Sequence, residues 1–280
     1  MSISIVMISF NQVEFLAKAM YSVLNQESVD LQLIVVDPGS TDGSREFAQG
    51  VANKDDRVIL IFESDSGPAD GLNKGFKRAE NEFVGYLNSD DIYLPSALRI
   101  IEINFKLHVD ADVIYGHGLI LDERTGSKLD FAYSDQLSKT KILTNTARIM
   151  QQSTFFRKAS LDESNIFFNT ENRTCWDYEL IVDSLLAGLS FVKLDEIIGV
   201  LRVHAKSITG GNLNYQKYEA DKGRIIDGVL PKFHVINTLF YPFFSIGYRI
   251  IRKLKVFVFR IRFKGQMKEF AKNENISLME

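Results

Sequence analysis

The feature that most constrains the fold is a regular alternation of strand-like and helix-like segments in the first ninety residues. Apolar, largely β-branched runs predict strands at Ile3–Ile8, Leu31–Val36, Val58–Phe62 and Phe83–Leu87. The segments between these runs carry apolar residues at helical spacing. Strand, helix and strand repeating every 25–30 residues or so indicates right-handed βαβ units. The chain is therefore predicted to be α/β, with a mainly parallel sheet flanked by helices.

Polar clusters follow each of the four predicted strands. They lie at residues 9–11, 37–42, 63–65 and 88–91. Because ligands of such sheets bind beyond the carboxyl ends of the strands, these clusters are predicted to line one binding cleft.

The cluster at residues 88–91, Asn-Ser-Asp-Asp, is unusual because two adjacent acids follow a buried strand. Like charges near a core raise each other's energy and lose hydration. One explanation is an N-cap for the next helix, with Pro95 in its first turn. The other is a site for Mg²⁺ or Mn²⁺, which take oxygen ligands and commonly bridge to phosphates. Capping would account for one acid only.

The regular pattern ends after about residue 110. Residues 112–157 predict shorter strands with turns, followed by a helix from about Trp176 to Ala187 and two strands at 190–196 and 197–204. This mixture predicts an antiparallel or mixed second half. The turn-prone stretch Ser207–Asn214 is the predicted boundary between this body and a C-terminal extension.

Composition limits the class of protein. With 280 residues, 45% hydrophobic and 25% charged, the chain is expected to be globular rather than disordered. Its single cysteine, Cys175, excludes an internal disulfide and a cysteine-based zinc site. The first residues have no basic region of the signal-peptide type, and no window is apolar for about 18 residues. A cytoplasmic protein is expected.

Charge is divided unevenly along the chain. Residues 228–280 contain ten Lys or Arg and three Glu, so the total of −3 leaves residues 1–227 at −10. No acid lies between Asp227 and Glu269, and aromatic residues alternate with basic ones there. Such a segment fits an amphipathic helix on an anionic membrane leaflet. Packing on the body or on a second subunit is the alternative. Nucleic acid is not expected, since no recognisable nucleic-acid module accompanies the segment.

Several motifs together resemble the family 2 glycosyltransferases, which are inverting nucleotide-sugar enzymes of the GT-A fold. The motifs are SFNQ, VVDPGSTDGS, SDSGPADGLNKGF, YLNSDDIYLP, QQSTFFRK, WDYEL and LRVH, and their order and spacing match across residues 2–210. The resemblance implies a GT-A domain at 1–212 and a basic amphipathic helical extension at 213–280.

The resemblance implies a donor site at the strand ends. The residues expected to bind the nucleotide sugar are Ser9, Asn11, Asp37, Ser40, Asp65, Asp70, Asn73, Lys74, Asn88 and Ser89. The family's D-x-D metal motif corresponds to residues 88–90, so Asp90 is the expected chief metal ligand, with Asp91 and His204 as further ligands. Two positions depart from the family pattern: Asn88 replaces the first acid, and Pro38 replaces an acid that helps to bind the base. These changes leave the nucleotide unidentified.

The resemblance also implies a catalytic base, Asp177, at the start of a helix, where Trp176 replaces the usual Glu. A capping role for Asp177 is the alternative, and Glu179 is the second choice for the base. The residues expected on the acceptor side are Gln151, Gln152, Ser153 and Trp176. Arg202 is a weaker candidate for the site.

The expected activity is transfer of a sugar, with inversion, from a nucleotide-diphosphate sugar to a glycan or lipid-linked acceptor in bacterial surface polysaccharide synthesis. Residues 240–268 would contact the inner leaflet of the membrane, which makes the protein cytoplasmic and peripheral. Two rivals are a sugar nucleotidyltransferase and a non-catalytic scaffold. The first would need a Gly-rich basic loop after the first strand, and SFNQVEF has none. The departures from the family pattern at Asn88 and Pro38 leave the non-catalytic scaffold open as an alternative.

Overall fold

The architecture was obtained as a computed structural model that describes residues 2–27, 30–124, 127–143, 148–207, 212–229, 234–274 and 276–278. The strands are β1 (Ser2–Ile8), β2 (Asp30–Val36), β3 (Val58–Ile61), β4 (Phe83–Asn88), β5 (Ile92–Tyr93), β6 (Val113–Asp122), β7 (Lys128–Ala132), β8 (Thr154–Arg157), β9 (Phe191–Val203) and β10 (Ser277–Leu278). The helices are α1 (Val13–Leu24), α2 (Ser44–Ala52), α3 (Pro68–Arg78), α4 (Ala97–Leu107), α5 (Lys139–Leu143), α6 (Lys158–Glu163), α7 (Trp176–Leu186), α8 (Asn212–Val229) and α9 (His234–Asn273).

The strands form one mixed sheet in the order β3-β2-β1-β4-β8-β6-β7-β10. The first four of these are parallel, whereas β8 runs antiparallel to both β4 and β6. Strand β9 pairs in parallel with β6 and antiparallel with the short β5. The predicted α/β fold, with a mainly parallel first half and a mixed second half, is confirmed.

Strand register brings the predicted polar clusters to one edge. Ile8 of β1 lies opposite both Val36 of β2 and Asn88 of β4. The residues that follow these strands therefore emerge side by side at the carboxyl ends, as a parallel sheet requires.

Strand β9 differs from the sequence prediction. Two strands were expected at 190–196 and 197–204, but a single strand runs from Phe191 to Val203. The polar pair Asp195–Glu196 interrupts the apolar pattern without ending the strand. Pairing with β6 continues past this point through register irregularities around His117, so the sheet overrides the local pattern.

The capping explanation for Asp91 is wrong. Helix α4 begins at Ala97, six residues after Asp91, and Ser96 precedes it in the left-handed region at φ 63°. Pro95 lies before the helix rather than in its first turn. The acids at positions 90 and 91 therefore require another explanation.

Three apolar clusters hold the layers together. One joins β1 and β2 to α1, α2 and α4, and a second joins the opposite face of the sheet to α3, α7 and α8. Consecutive residues of β1 alternate between them, with Ile5 in the first and Val6 in the second. This alternation is the period of two that an extended strand imposes. The third cluster places part of α9 against β6, β7 and β9.

The C-terminal helix α9 has two apolar faces. Phe259, Phe263, Met267 and Ala271 are buried against the body. Roughly opposite on the helix, Ile251, Leu254, Phe257, Val258 and Ile261 are each more than half exposed. Packing on the body, one of the two arrangements considered for the C-terminal extension, thus applies to one face of α9 only.

The predicted boundary at residue 212 adjoins residues 208–211, which lie outside the described residues. Among the helices that the structure describes, none is both long and apolar enough to cross a membrane.

Helix α3 approaches β1 so closely that one position tolerates only glycine. A Cβ added at Gly75 would lie 2.2 Å from Cγ1 of the fully buried Val6. Gly50 in α2 offers a matched comparison, because a Cβ there would meet nothing within 4 Å.

We expect Gly75→Ala to lower the free energy of unfolding by about 1–3 kcal/mol through overpacking. Gly50→Ala should raise it by about 0.5–1 kcal/mol, since alanine loses less backbone entropy in a helix. Urea unfolding measures both. Equal effects of the two substitutions would contradict the close approach of α3 to β1.

Candidate functional site

Three buried polar atoms without a protein partner lie at the carboxyl edge of the parallel strands. They are Oγ of Ser9 after β1, Oδ2 of Asp37 after β2, and Oδ1 of Asn88 at the end of β4. A buried polar atom without a hydrogen bond costs stability, so such atoms are uncommon. Their convergence at one edge suits a polar ligand that supplies the missing partners.

The loop after β2 holds Asp37 rigidly. Its Oδ1 accepts from the backbone N–H groups of Gly39 (2.9 Å) and Ser40 (2.7 Å) and from Nε of Arg45 (3.1 Å). The side chain is almost fully buried. Because Oδ1 carries all three bonds, Oδ2 is left to accept a hydrogen bond from a ligand.

Asn11 and Ser40 lock the loops after β1 and β2 to each other. The N–H of Asn11 donates to Oγ of Ser40 (2.8 Å), and the N–H of Thr41 donates to Oδ1 of Asn11 (2.9 Å). Asn11 adopts the left-handed conformation at φ 53°, which asparagine tolerates better than most residues. Both side chains shape the cleft by these bonds.

The loop after β3 joins the cleft through Asp65. Its pKa is raised, chiefly by burial, and the charges of Asp70 and Asp37 raise it further. Its Oδ1 accepts from the N–H of Gly67 (3.0 Å). Oδ2 of Asp70 accepts from the N–H of Ser66 (2.9 Å), and Nζ of Lys74 lies 3.8 Å from Oδ2 of Asp70.

Asn73 is fully engaged within the protein. Its Nδ2 donates to the carbonyl of Phe168 (2.8 Å), and its Oδ1 accepts from the N–H of the same residue (2.9 Å). The amide thus ties α3 to the segment before α7, so this arrangement favours a structural role over direct donor contact.

Asp91 is the buried centre of the site. Its Oδ2 accepts from Nε2 of Gln152 (2.7 Å) and from Nδ2 of Asn88 (3.3 Å), while its Oδ1 accepts from the N–H of Arg202 (2.9 Å). Burial and the neighbouring charge of Asp90 raise the pKa of Asp91 well above the usual range. These bonds join β4, the segment before β8, and β9. They also orient Asn88, because its NH₂ group faces Asp91 and its Oδ1 is left free for a ligand.

Asp90 is partly exposed and lies against His204. Oδ2 of Asp90 is 3.1 Å from Nε2 of His204, whose ring stacks on Phe15 at a centroid distance of 4.3 Å. The N–H of Lys206 donates to Nδ1 of His204 (3.2 Å), so the neutral ring carries its proton on Nε2 and donates to Asp90. In this tautomer His204 is a hydrogen-bond donor, and its role as a metal ligand stays a prediction.

The serine of the acidic motif connects it to the loop after β1. The hydroxyl of Ser89 donates to the side-chain Oε1 of Gln12, and Nε2 of Gln12 lies 3.5 Å from Oδ2 of Asp90. Gln12 was not among the predicted site residues, although it belongs to the SFNQ motif.

The oxygen atoms at the end of β4 fit a divalent cation that is held by few protein groups and mainly by the phosphates of a bound substrate. Within the described residues, no group of three or more His, Cys, Asp and Glu is arranged to hold a metal. The partly exposed carboxylate of Asp90 and the unpartnered Oδ1 of Asn88 are nevertheless hard oxygen ligands. Mg²⁺ is commonly held by one or two carboxylates together with substrate phosphates. Asp91, with both oxygens already bonded, suits a supporting role.

The predicted base, Asp177, lies in the first turn of α7 beside Trp176. Its pKa is raised, with burial as the largest cause, against an opposing effect of backbone N–H groups at the helix start. Helix α7 therefore stabilises the ionised form while the surroundings disfavour it.

Tyr86 is influenced by the charges of both the acidic motif and the predicted base. Burial raises the pKa of Tyr86 well above its usual value, the carboxylates of Asp177 and Asp91 raise it further, and a hydrogen bond with Trp176 lowers it. Tyr86 was not predicted as a site residue. Its position two residues before Asn88, on the same face of β4, is the signal that could have found it.

Other acceptor-side candidates are occupied by protein contacts. Nε2 of Gln151 donates to the carbonyl of Tyr86 (2.7 Å), and the hydroxyl of Ser153 donates to the carbonyl of His117 (2.7 Å). Together with Gln152, whose amide binds Asp91, they are buried. These contacts favour a supporting role, and direct acceptor contact stays a prediction.

Glu179 and Arg202 are also held by neighbours. Glu179 accepts from Nδ2 of Asn172 (2.6 Å) and Nδ2 of Asn169 (2.9 Å), and it pairs with Arg224 of α8 (3.3 Å). Arg202 forms an ion pair with Glu123 at 2.9 Å. Neither side chain is presented to the cleft by these contacts.

Comparison with known proteins identifies relatives of the chain. The model of the family described as glycosyl transferase family 2 matches residues 4–167. An uncharacterized glycosyltransferase of Nostoc sp. is 32% identical over 156 residues, which cover 52% of this chain and 47% of that protein. The putative teichuronic acid biosynthesis glycosyltransferase TuaG of Bacillus subtilis is 28% identical over 217 residues, 74% of this chain and 81% of TuaG. The chain spans about half to three fifths of the length of the first curated relatives that it matches.

Solved structures share the fold. S. aureus TarS 1–349 in complex with UDP-GlcNAc has a TM-score of 0.61 at 18% identity, covering 86% of this chain and 75% of TarS 1–349. The mannosyltransferase PcManGT from Pyrobaculum calidifontis, in complex with GDP-Man and Mn²⁺, has a TM-score of 0.57 at 12% identity, covering 93% of this chain and 86% of PcManGT. At these identities the likeness concerns the fold alone.

The two adjacent acids are expected to respond differently to substitution. Asp91→Ala leaves three buried N–H donors without an acceptor and should lower the free energy of unfolding by about 1–3 kcal/mol or more. Asp90→Ala, at a partly exposed position, should cost less than about 1 kcal/mol. Urea unfolding of both variants at neutral pH measures the difference. A larger loss of unfolding free energy for Asp90→Ala than for Asp91→Ala would contradict the role of Asp91 in joining β4, the segment before β8 and β9.

Proposed function

Since the chain belongs to glycosyl transferase family 2 and has the GT-A fold, we propose that it transfers one sugar, with inversion, from a nucleotide-diphosphate sugar to an acceptor hydroxyl. The observation that carries the proposal is the convergence of the unpartnered atoms of Ser9, Asp37 and Asn88 beside Asp90. A nucleotide diphosphate offers both N–H donors, on its base, and charged oxygens, on its phosphates.

The donor would lie along the strand ends, with its base toward β2 and its diphosphate toward β4. Oδ2 of Asp37 can accept a hydrogen bond from a ring N–H of the base. Pro38 contributes neither a carboxylate nor a backbone donor, so base recognition rests on Asp37. Asp90 and Asn88 would hold a Mg²⁺ or Mn²⁺ ion, which, when bound, supplies positive charge to the leaving diphosphate.

Asp177 would act as the general base. The acceptor oxygen attacks the anomeric carbon from the face opposite the diphosphate, the carbon–oxygen bond to the diphosphate breaks, and the acceptor proton passes to Asp177. Burial raises the pKa of Asp177, which makes its carboxylate a stronger base than an exposed aspartate. Tyr86, whose pKa the charge of Asp177 raises, and the adjacent Trp176 are both buried and form part of the surroundings of this carboxylate.

The acceptor is proposed to be a lipid-linked glycan of bacterial surface polysaccharide synthesis, reached at the inner membrane leaflet. The name of TuaG, which refers to teichuronic acid biosynthesis, supports the first part by similarity. The exposed apolar row of α9 supports the second part. Lys253 and Lys264 flank the row on one side and Lys255 on the other, where they could meet anionic lipid.

Asp177→Asn should lower the rate of sugar transfer by about 10²–10⁴-fold, because the amide cannot take the acceptor proton. Glu179→Gln is the matched control in the same helix, and it should keep most of the activity since Glu179 is held by Asn169, Asn172 and Arg224. Transfer is measured as the release of nucleoside diphosphate that depends on added acceptor. Near wild-type transfer by Asp177→Asn would refute the base assignment.

A panel of nucleotide sugars with Mn²⁺, assayed for released nucleoside diphosphate without acceptor, separates the rival functions. A glycosyltransferase is expected to hydrolyse one donor slowly. A sugar nucleotidyltransferase would instead release pyrophosphate from a nucleoside triphosphate and a sugar phosphate, and a scaffold would do neither.

Replacing both Leu254 and Phe257 with Asp should weaken binding to vesicles that contain phosphatidylglycerol by at least about tenfold, since each buried apolar side chain contributes about 1.5–3 kcal/mol. Leu107→Asp with Val109→Asp is the control, because both positions are exposed and apolar but lie outside α9. Co-sedimentation measures the bound fraction. Membrane contact through α9 is excluded if the two double variants bind equally.

A further inference from the structure

Phe15, in the first turn of α1, lies against two side chains at the end of β9. Its ring stacks on the imidazole of His204, with ring centroids 4.3 Å apart and an angle of 21° between the planes. Cζ of Arg202 lies 4.8 Å from the centroid of the same ring. All three residues are buried. These contacts connect α1 to the part of the chain that reaches the two adjacent acids.

Arg202 is held in place by Glu123 and Asp91. Its guanidinium donates to the Glu123 carboxylate at distances of 2.9, 3.1 and 3.2 Å, and its backbone N–H donates to Oδ1 of Asp91 (2.9 Å). A planar guanidinium packs favourably on an aromatic ring. Because Glu123 already compensates its charge, the contact of Arg202 with Phe15 serves packing and fixes the position of the ring.

The stack on Phe15 limits how the ring of His204 can turn. Rotation about the last side-chain bond of a histidine is otherwise broad and roughly two-fold. With the ring plane held by Phe15, two orientations remain. In the one that the structure shows, Nδ1 accepts from the N–H of Lys206 (3.2 Å) and Nε2 lies 3.1 Å from Oδ2 of Asp90. The half-turned orientation would place carbon atoms at both contacts.

The contact from His204 distinguishes the two oxygens of Asp90. Nε2 of His204 and Nε2 of Gln12 both lie near Oδ2, at 3.1 and 3.5 Å. Among the residues that the structure describes, none donates a hydrogen bond to Oδ1 of Asp90. This oxygen is left for a ligand, as is the unpartnered Oδ1 of Asn88.

We propose that Phe15 is a positioning residue, which acts through His204 to leave Oδ1 of Asp90 as the oxygen that binds the divalent cation. This inference rests on the proposed function, because it concerns the cation that Asp90 would hold for sugar transfer. Removing an outer partner that orients a metal ligand typically weakens metal binding or activity by about 10–100-fold. Phe15 has this role without touching substrate or cation.

The first experiment observes the ring of His204 directly and needs no metal, nucleotide or turnover. Long-range proton–nitrogen NMR of the full chain with isotope-labelled histidine, at mildly alkaline pH, distinguishes a ring protonated on Nε2 from one protonated on Nδ1. His204→Ala assigns its signal among those of the four histidines. The variants are Phe15→Leu, which removes the aromatic ring, and Phe15→Tyr, which keeps it.

Phe105→Leu is the matched control. Phe105 is buried and stacks on Phe83 at a centroid distance of 3.8 Å and an angle of 18°, and Cζ of Arg157 lies 5.9 Å from its ring. Phe83 and Asn88 lie at opposite ends of β4. Both leucine variants should lose stability, so an effect on His204 separates positioning from packing.

We expect wild-type His204 to carry its proton on Nε2 and Phe15→Leu to lose this preference, whereas Phe15→Tyr and Phe105→Leu should keep it. In transfer assays, Phe15→Leu should raise the Mn²⁺ concentration for half-maximal rate by about tenfold, with the rate at saturating Mn²⁺ within about threefold of wild type. His204→Ala should cause the same increase. The double variant should add nothing further, because both substitutions remove the same interaction.

Several results would overturn the inference. They are an Nδ1-protonated ring in the wild type, unchanged His204 signals in Phe15→Leu, equal increases in the Mn²⁺ requirement for Phe15→Leu and Phe105→Leu, and additive effects of Phe15→Leu and His204→Ala. Each of them leaves the proposed sugar transfer intact. Failure of the wild type to react with any nucleotide sugar would instead count against the activity, and the NMR measurement would still decide whether Phe15 fixes His204.

Discussion

The hydrogen bonds of Asp91 are the interaction on which the rest of the site depends. Three segments that are distant in sequence, at β4, before β8 and in β9, meet at one buried carboxylate. Burying this group is unfavourable by itself, and the three donors offset that cost. The result is a fixed geometry in which Asn88 presents an oxygen and Asp90 remains accessible. Of the two adjacent acids, Asp91 thus joins three segments of the structure, and Asp90 is the one proposed to hold the ligand.

Much of the cleft is held together by side chains that no ligand needs to touch. Asn11 and Ser40 join two loops, Asn73 ties α3 to the segment before α7, and Gln152 braces Asp91. Precise placement of a few reactive groups requires such supporting contacts, because a misplaced group loses much of its effect. A motif shared among relatives can therefore contain more residues for positioning than for contact with substrate.

The first four strands and the helices between them could be predicted from sequence because their signals are local. Each strand is a short apolar run, and each helix repeats its apolar residues every three or four positions. The division of β9 was predicted wrongly because Asp195 and Glu196 look like an interruption, whereas pairing with β6 decides the outcome. Pairing partners are distant in sequence, so local pattern cannot reveal them.

The candidate site shows the same limit. Acidic residues at strand ends could be identified from the pattern, but the different surroundings of Asp90 and Asp91 depend on Gln152 and Arg202, which lie far along the chain. Residues 213–280 were assigned to an extension outside the catalytic body, since nothing local to α8 indicates that Ile225 and Ile226 pack with α7. Both apolar faces of α9 likewise look alike in sequence, and only the tertiary packing separates the buried one from the exposed one.

The packing of α9 has a consequence for distance. Buried Phe259 and Phe263, the ion pair between Arg260 and Asp130, and the pairing of β10 with β7 all fix the helix to the sheet. Any flat surface that covers its outward face is then held at a constant height and angle relative to Asp177. With the proposed membrane contact, this fixed distance would favour acceptors whose reactive hydroxyl stands at the height of Asp177 above the membrane surface.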